Sequence, residues 1–487
     1  MRLTDLLNGF DVEVTGTTES KRSHITGLTS DSRQVKPGYL FAALPGGRTD
    51  GTAFISESIA RGAAAVLTRA PDFERRESVA VIVDANPRRR LALLASRFYG
   101  RQPDVVAAVT GTNGKTSVVS FLRQIWTHAG RAAASVGTLG VQAPDAARSG
   151  SLTTPDPVEL HATLAELADA GVDHLALEAS SHGLSQHRLD GVRIAAAAFT
   201  NLTREHLDYH GSMADYLDAK RRLFAELVDA GGSCVVNADD AAGAEMIAAA
   251  EPRGIAVMTY GHAGRDVRLT AITPAAEGQR LELVVEGKTH CVSVPLVGVF
   301  QASNALCAAA LAMATRVPAE VTVQALMALQ GVRGRLELAA RLDSGARVYV
   351  DYAHTPDALA AALAALRPHA AGRLIVVFGC GGDRDAGKRP EMGRIAAVLA
   401  DHVIVTDDNP RGEDSAAIRR AILAGCPSAT EIGDRAEAIA AAVAMLGTGD
   451  VLLIAGKGHE TGQIVGDRVL PFDDAAAVRC AAAGRQA

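Results

Sequence analysis

The sequence predicts an α/β chain of three domains with mostly parallel sheets. Short runs of Val, Ile, Leu and Ala alternate with helix-like segments through most of the 487 residues, the rhythm of strand–helix–strand units. That length favours about three domains, each large enough to bury its own core. Residues 105–117 read as a buried strand, a glycine-bounded turn and the opening of a helix, which is a phosphate cradle. At 48% hydrophobic and 21% charged residues the chain is globular, and its net charge of −6 gives no reason to expect nucleic acid as a partner. The first residues lack the apolar run of a secretory signal and no stretch approaches membrane-spanning length, so a cytoplasmic protein is expected; a monomer is the expected oligomeric state. Cys234, Cys291, Cys307, Cys380, Cys426 and Cys480 are scattered without CxxC spacing, which indicates neither a zinc site nor a disulfide framework.

The first domain, residues 1–102, carries strand-like runs at 39–44, 63–68 and 79–83, a helix over 88–99 and a Gly-Arg-Gln-Pro break. Residues 103–333 form the second, with strands near Val105, Ala132, His174, Ile194 and Cys234 and a β-rich stretch over 267–300. The third, residues 334–487, repeats the alternation with runs at 348–350, 374–378, 403–406 and 451–455, as in a doubly wound sheet.

Function concentrates first in Gly111-Thr112-Asn113-Gly114-Lys115-Thr116-Ser117. Gly111 and Gly114 permit a tight backbone approach, and amides at the helix start point at an anion. Lys115 supplies positive charge to the β- and γ-phosphates, and Thr116 an oxygen ligand for Mg²⁺. Val109 and Thr110 stand where a longer phosphate loop would begin, so this is a shorter variant. Ligands of such sheets collect at the carboxyl ends of strands. After the run at 174–177 comes Glu178, then Ser180, His182, Gln186, His187 and Arg188; after 194–199 come Asn201, Arg204, His206 and His210. Glu178 and His206 are placed to reach a nucleotide-bound metal, although a strand-terminal carboxylate also serves as a helix cap. His182, His187 and His210 read equally as structural, substrate-orienting or surface residues.

The set GTNGKTS, EASSHGLSQHRL, NLTREHLDYHG, Asn304 in GVFQASNALCAAA, Gly334-Arg335-Leu336-Glu337 and Asp351-Tyr352-Ala353-His354 resembles the Mur ligases of peptidoglycan synthesis over essentially the whole chain. Within them it is most similar to the enzymes that add the third amino acid. The resemblance implies an N-terminal domain binding the UDP end, a central P-loop-type ATPase domain and a C-terminal Rossmann-like domain that brings the amino acid. It implies a uridine-nucleotide site at Ser32 with the loop Gly47, Arg48 and Thr49. Muramoyl-peptide contacts are implied at Thr153, Thr154, Ser180, Gln186 and Arg188, the last through a guanidinium that forks onto a carboxylate. Leu152 departs from the pattern, since related sequences carry Asn there. Asn304, Arg335, Asp351 and His354 are implied around the nucleotide.

Lys220, taken alone, reads as a helix-surface lysine; the resemblance places a CO₂-derived carbamate on it, an anion that holds a second Mg²⁺ where a plain ammonium would repel it. Thr116, Glu178 and Lys220 are thus the implied metal ligands, and Lys115, Glu178, His206 and Lys220 the catalytic set. Asp408-Asn409-Pro410-Arg411 resembles the meso-diaminopimelate-adding members, with Arg384, Gly456 and Glu460 completing that site; alone, Asn-Pro-Arg is an ordinary turn. The implied reaction makes an acyl phosphate from the D-glutamate carboxylate of UDP-N-acetylmuramoyl-L-alanyl-D-glutamate and ATP, which the meso-2,6-diaminopimelate amine displaces. An L-lysine-adding ligase, a folylpolyglutamate synthase and a non-catalytic nucleotide-binding protein are the alternatives.

Overall fold

The computed structural model describes all residues except 47–49, 70–77, 145, 151, 276–277 and 487. They group into two units, Met1–Asp266 with Cys307–Thr322, and Val267–Leu306 with Val323–Ala487.

The first unit begins with a five-stranded sheet of β1 (Glu13–Thr15), β2 (Gly27–Thr29), β3 (Tyr39–Ala42), β4 (Ala65–Thr68) and β5 (Ala80–Val83), in the order β1-β5-β4-β3-β2. Only β1 runs antiparallel to its neighbour. The expected runs at 39–44, 63–68 and 79–83 are the cores of β3, β4 and β5; β1 and β2, three residues each, are too short to show a period. The helix Pro87–Tyr99 starts where Asn86 accepts from the Arg89 amide, with Pro87 in the first turn, and stops at Gly100 with φ 74°. Ser96 Oγ within the helix and Gln102 Nε2 beyond it each donate to Gly191 O at 2.8 Å, which ties this sheet's helix to the next layer.

That layer is built from β6 (Val105–Thr110), β7 (Ala133–Gly137), β8 (Gly140–Ala143), β9 (Ala146–Arg148), β10 (His174–Glu178), β11 (Ile194–Phe199), β12 (Val228–Asn237) and β13 (Ala256–Gly261). Their order is β13-β12-β11-β6-β10-β7-β8-β9, parallel from β13 to β7 and antiparallel beyond. β6 and β10 read as near-continuous apolar runs because helices cover both faces: Val106, Leu175, Leu177 and Phe199 are buried with Leu160 and Leu164 of the helix Pro157–Asp169. The carboxyl ends of β6, β7, β10 and β11 therefore lie side by side.

In the second unit β14 (Val267–Ala275), β15 (Gly278–Val285) and β16 (Lys288–Val294) make an antiparallel meander. Its period-2 pattern is plain in β15, where Leu281, Leu283 and Val285 are buried while Arg280 and Glu282 are exposed. The β-rich stretch expected to run to residue 300 ends at Val294: Pro295 has no amide to donate, Gly298 O accepts from Gln301 N, and Phe300 lies in the helix Val299–Ala314. The larger sheet contains β17 (Glu337–Arg341), β18 (Arg347–Asp351), β19 (Leu374–Phe378), β20 (His402–Val405), β21 (Thr430–Glu431) and β22 (Val451–Ala455), in the order β17-β18-β22-β19-β20-β21. All pairs but β17–β18 are parallel, the doubly wound arrangement expected. A separate hairpin joins β23 (Gly462–Val465) and β24 (Arg468–Pro471).

Candidate active site

The turn after β6 is shaped by its two glycines and braced by the end of β11. Gly111 has φ 146° and Gly114, the cap of the helix Lys115–His128, has φ 90°; a Cβ on Gly111 would overlap Thr200 Oγ1. Thr200 Oγ1 donates to Asn113 O at 2.6 Å, and the Asn113 amide donates to Asn201 Oδ1 at 2.9 Å, so the end of β11 braces the loop. Lys115 Nζ donates to Gly111 O and Thr112 O, both at 2.8 Å, which curls the lysine over the loop it is expected to serve. Thr112 Oγ1 accepts from Tyr216 OH at 3.2 Å.

Beside the loop Glu178, the last residue of β10, is buried and accepts from Thr138 N at 2.8 Å and from Thr116 Oγ1 and Thr138 Oγ1 at 3.2 Å each. Gly137 makes room for it, because a Cβ there would strike the carboxylate. Of the two roles open to Glu178, metal ligand or cap, its bonds do not fit a cap, since they come from the Thr116 hydroxyl and from Thr138 and none from an amide at a helix start. Thr138 was not anticipated. Its only sequence signal is its position at the end of β7, level with Glu178.

Lys220 is not a surface lysine. It is 1% exposed, on the helix Met213–Arg222, with Nζ 4.1 Å from the centre of the Tyr216 ring. Burial, reinforced by the positive charge of Lys115, holds its pKa well below the ordinary lysine value. The helix passes directly into a π-helical turn, Leu223–Leu227. His182 stacks edge-on against His206 at 4.9 Å and His210 at 5.5 Å, and His210 Nε2 lies 3.0 Å from Ser181 Oγ. Burial and these neighbouring rings lower the His182 pKa to about 4, so the ring is neutral. His206 is half-exposed with φ 56°. His187 lies elsewhere, Nε2 3.0 Å from Asn86 Nδ2, which makes it structural.

One cavity gathers Lys115, Thr153, Thr154, Ser180, Arg188, His206 and Lys220. Ser180 Oγ donates to Thr154 Oγ1 at 3.0 Å, and Thr154 Oγ1 donates to Glu178 O at 2.7 Å. Arg188 donates to Thr154 O at 2.6 Å and to Gln186 Oε1 at 2.8 Å, and Gln186 Nε2 to Tyr209 OH at 3.0 Å. Ser32 is buried at the start of the 3₁₀ turn Ser32–Gln34 in the first sheet's domain. Gly47, Arg48 and Thr49 lie outside the described residues.

In the second unit the expected residues again sit at adjacent strand ends. Asp351 closes β18, and its carboxylate accepts from Leu336 N at 2.7 Å and Ala353 N at 2.8 Å. Burial pushes its pKa up to about 6 against the pull of Arg335. Arg335 lies over the Tyr352 ring, 4.9 Å from its centre, and His354 Nδ1 is 2.8 Å from Tyr352 O. Asn304 Nδ2 donates to Gln301 Oε1 at 3.1 Å, and Gln301 Nε2 to Arg335 O at 2.9 Å.

After β20, Asp408, Asn409 and Pro410 are buried, so this segment is more than a solvated turn. Arg411, with φ 51°, donates to Gly382 O at 2.9 Å, and Asn409 Nδ2 donates to Glu460 Oε2 at 2.9 Å. Gly456, φ 118°, lets Asp408 approach the end of β22. Arg384 is exposed. The missed residues here are Lys457, wholly buried and bonded to Asn409 Oδ1, and the buried pair Arg435–Asp474, whose two bonds are 2.7 Å each.

A glycine-rich loop opening a helix beside a buried strand-end carboxylate defines a nucleotide-using α/β enzyme. Family models agree: a Mur ligase family catalytic domain matches residues 24–99, a Mur ligase middle domain 109–312 and a Mur ligase glutamate ligase domain 334–458. The chain belongs to the Mur ligase family, and is a ligase that forms an amide bond with ATP. It is 54% identical to the UDP-N-acetylmuramoyl-L-alanyl-D-glutamate–2,6-diaminopimelate ligase of Rhizobium meliloti (strain 1021), over 99% of this chain and 100% of that one. The enzyme of the same name from Bradyrhizobium diazoefficiens is 55% identical over 95% of this chain and 96% of its own. A solved structure of a ligase of that name superposes with a TM-score of 0.75 at 33% identity, covering 100% and 99% of the two chains.

Proposed function

We propose that the chain joins meso-2,6-diaminopimelate to the D-glutamate of UDP-N-acetylmuramoyl-L-alanyl-D-glutamate at the expense of ATP, in the cytoplasm, as a step of peptidoglycan synthesis. The names of relatives aligned over nearly the whole chain support this substrate pair. The observation that carries it is the single cavity holding the phosphate-loop lysine, Arg188 and the buried Lys220 together. Residues 1–102 take the UDP end, 103–333 the ATP and 334–487 the amino acid.

Arg188 and Thr154 orient the D-glutamate carboxylate, whose oxygen attacks the γ-phosphorus of ATP as the bond to the bridging oxygen breaks and ADP leaves, giving the acyl phosphate; Lys115 offsets the charge that develops there. The neutral amine of diaminopimelate then attacks the acyl carbon, the C–O bond to phosphate breaks, phosphate leaves and the amine's extra proton passes to solvent. Asn304, Arg335, Asp351 and His354 hold the nucleotide, and Arg384, Asp408, Asn409, Arg411, Gly456 and Glu460 the diamino acid, whose second carboxylate suits the guanidinium forks. Glu178 with the Thr116 hydroxyl 3.2 Å away presents the hard oxygen donors that Mg²⁺ requires. When bound, the ion neutralises charge on the transferring phosphoryl group. Two protein oxygens leave most of an octahedral Mg²⁺ shell to other oxygen donors. Lys220 can supply one. Its neutral amine bonds to CO₂ carbon, a C=O pair moves to oxygen, and the proton leaves to solvent, giving a carbamate anion.

Phosphate release with ATP, Mg²⁺ and the UDP-linked substrate, compared for meso-diaminopimelate, L-lysine and no amino acid, tests the reading, with product mass as confirmation. Turnover with diaminopimelate alone is expected. Turnover with lysine alone would reverse the amino-acid assignment, and none with either would remove the ligase assignment for this substrate.

A further inference from the structure

Lys457 is a charged side chain with no exposure to solvent, in the turn between β22 and β23, and nothing in the chemistry above uses it. Its ammonium has three protons, and the surroundings account for them. Nζ donates to Asn409 Oδ1 and to Gly462 O, both at 2.8 Å; its third direction faces Asp408 Oδ1 at 3.3 Å and Glu460 Oε2 at 3.5 Å. Asn409 Oδ1 also accepts from Ile464 N at 2.9 Å. With two donors on its oxygen, the Asn409 amide has one allowed orientation. Nδ2 must face the other way, where one N–H donates to Glu460 Oε2 at 2.9 Å and the second is left over.

The charges are arranged to the same end. Asp408 is nearly buried and Glu460 partly exposed, so one cation serves two carboxylates and the uncompensated negative charge falls on the more exposed Glu460. The nearby Arg435 is paired with Asp474, both wholly buried, and acts on Asp408 and Glu460 through its charge, while Lys457 is the cation within hydrogen-bond reach of them. Without Lys457, the Asn409 oxygen would keep only the bond from Ile464 N, and Asp408 and Glu460 would repel each other without a cation between them.

Building on the diaminopimelate reading, we propose that Lys457 is a positioning residue for the incoming diamino acid. It turns the Asn409 N–H toward the substrate's second carboxylate and sets Glu460 as the acceptor of its ammonium, without touching the substrate. Selectivity for a diamino acid with two carboxylates over one with a single carboxylate thus depends on a lysine outside the binding surface.

The test uses the full-length enzyme with Lys457→Met, which keeps the length of the side chain and removes its donors, and Lys457→Gln as a second variant. KM is measured separately for diaminopimelate, ATP and the UDP-linked substrate, together with the ratio of kcat/KM for meso-diaminopimelate over L-lysine. The expected result is a KM for diaminopimelate raised tenfold or more, a selectivity ratio lowered by a similar factor, and the other two KM values within twofold. In an Asn409→Ala background Lys457→Met should have a smaller effect than in the parent, since part of its action passes through Asn409 and part through Glu460. A folded variant that keeps both the KM and the ratio overturns the proposal, as does failure of both variants to fold, which would make Lys457 a purely structural residue. Absence of diaminopimelate turnover in the unmodified enzyme would instead remove the reading on which the proposal rests.

Discussion

Replacing Glu178 by glutamine separates its chemical role from its structural one. The carboxylate accepts from Thr138 N at 2.8 Å and from the Thr116 and Thr138 hydroxyls at 3.2 Å each. A glutamine of the same shape keeps the bond from Thr138 N only with its oxygen facing that amide. Its NH₂ then meets the two hydroxyls, which must turn from donors into acceptors. Weakening charge-assisted bonds to neutral ones costs about 1 kcal/mol apiece, and the relief of burying no charge returns part of it. The fold should therefore lose about 1–2 kcal/mol, a melting shift of roughly 5 °C or less for a unit of this size. Turnover falls much further. The loss of one preorganised charge-stabilising group costs about 2.7–4 kcal/mol of barrier, a drop on the order of 100- to 1,000-fold. The assay is the initial rate of phosphate release across a Mg²⁺ titration, with a melting curve on the same preparation. A folded Glu178→Gln enzyme within threefold of the parent rate and with the same Mg²⁺ dependence would refute the assignment.

Lys115→Ala should abolish ligation and leave the circular dichroism spectrum unchanged; near-normal turnover would refute its role at the phosphates. Lys220→Arg keeps a cation but forms no carbamate, so its rate should fall at least about 100-fold, while the unmodified enzyme loses rate on stripping CO₂ and regains it with bicarbonate. Asp351 has a folded pKa raised to about 6 above an unfolded value near 3.9. Below pH 4 both states are protonated; between about 4 and 6 the folded state holds the extra proton, so its contribution to stability declines as pH rises through that window. Against Asp351→Asn, the parent should therefore lose about 1.4 kcal/mol of relative stability between pH 5 and 7.5; denaturant melts that show a constant gap would contradict the buried, raised carboxyl.

The phosphate loop and the strand-end pattern were legible in the sequence because they are local. Gly111, Gly114, Lys115 and Thr116 act within one turn, whose backbone demands are written in the residues themselves. The continuous apolar runs of β6, β10, β19 and β22 likewise announce strands covered on both faces. The short edge strands β1 and β2 did not, since three residues carry no period. Lys220, Lys457, Thr138 and Asp351 owe their properties to neighbours distant in the chain. The Lys220 pKa is lowered because folding buries it near Lys115; Lys457 bonds to Asn409 from 48 positions away. Hydrophobic period and glycine placement act over a few residues, so the course of strands, helices and the glycine-bounded turn can be read along the chain. Which charged side chains lose their water and which face one another is settled by folding, because burial and charge pairing depend on segments that chain order leaves far apart.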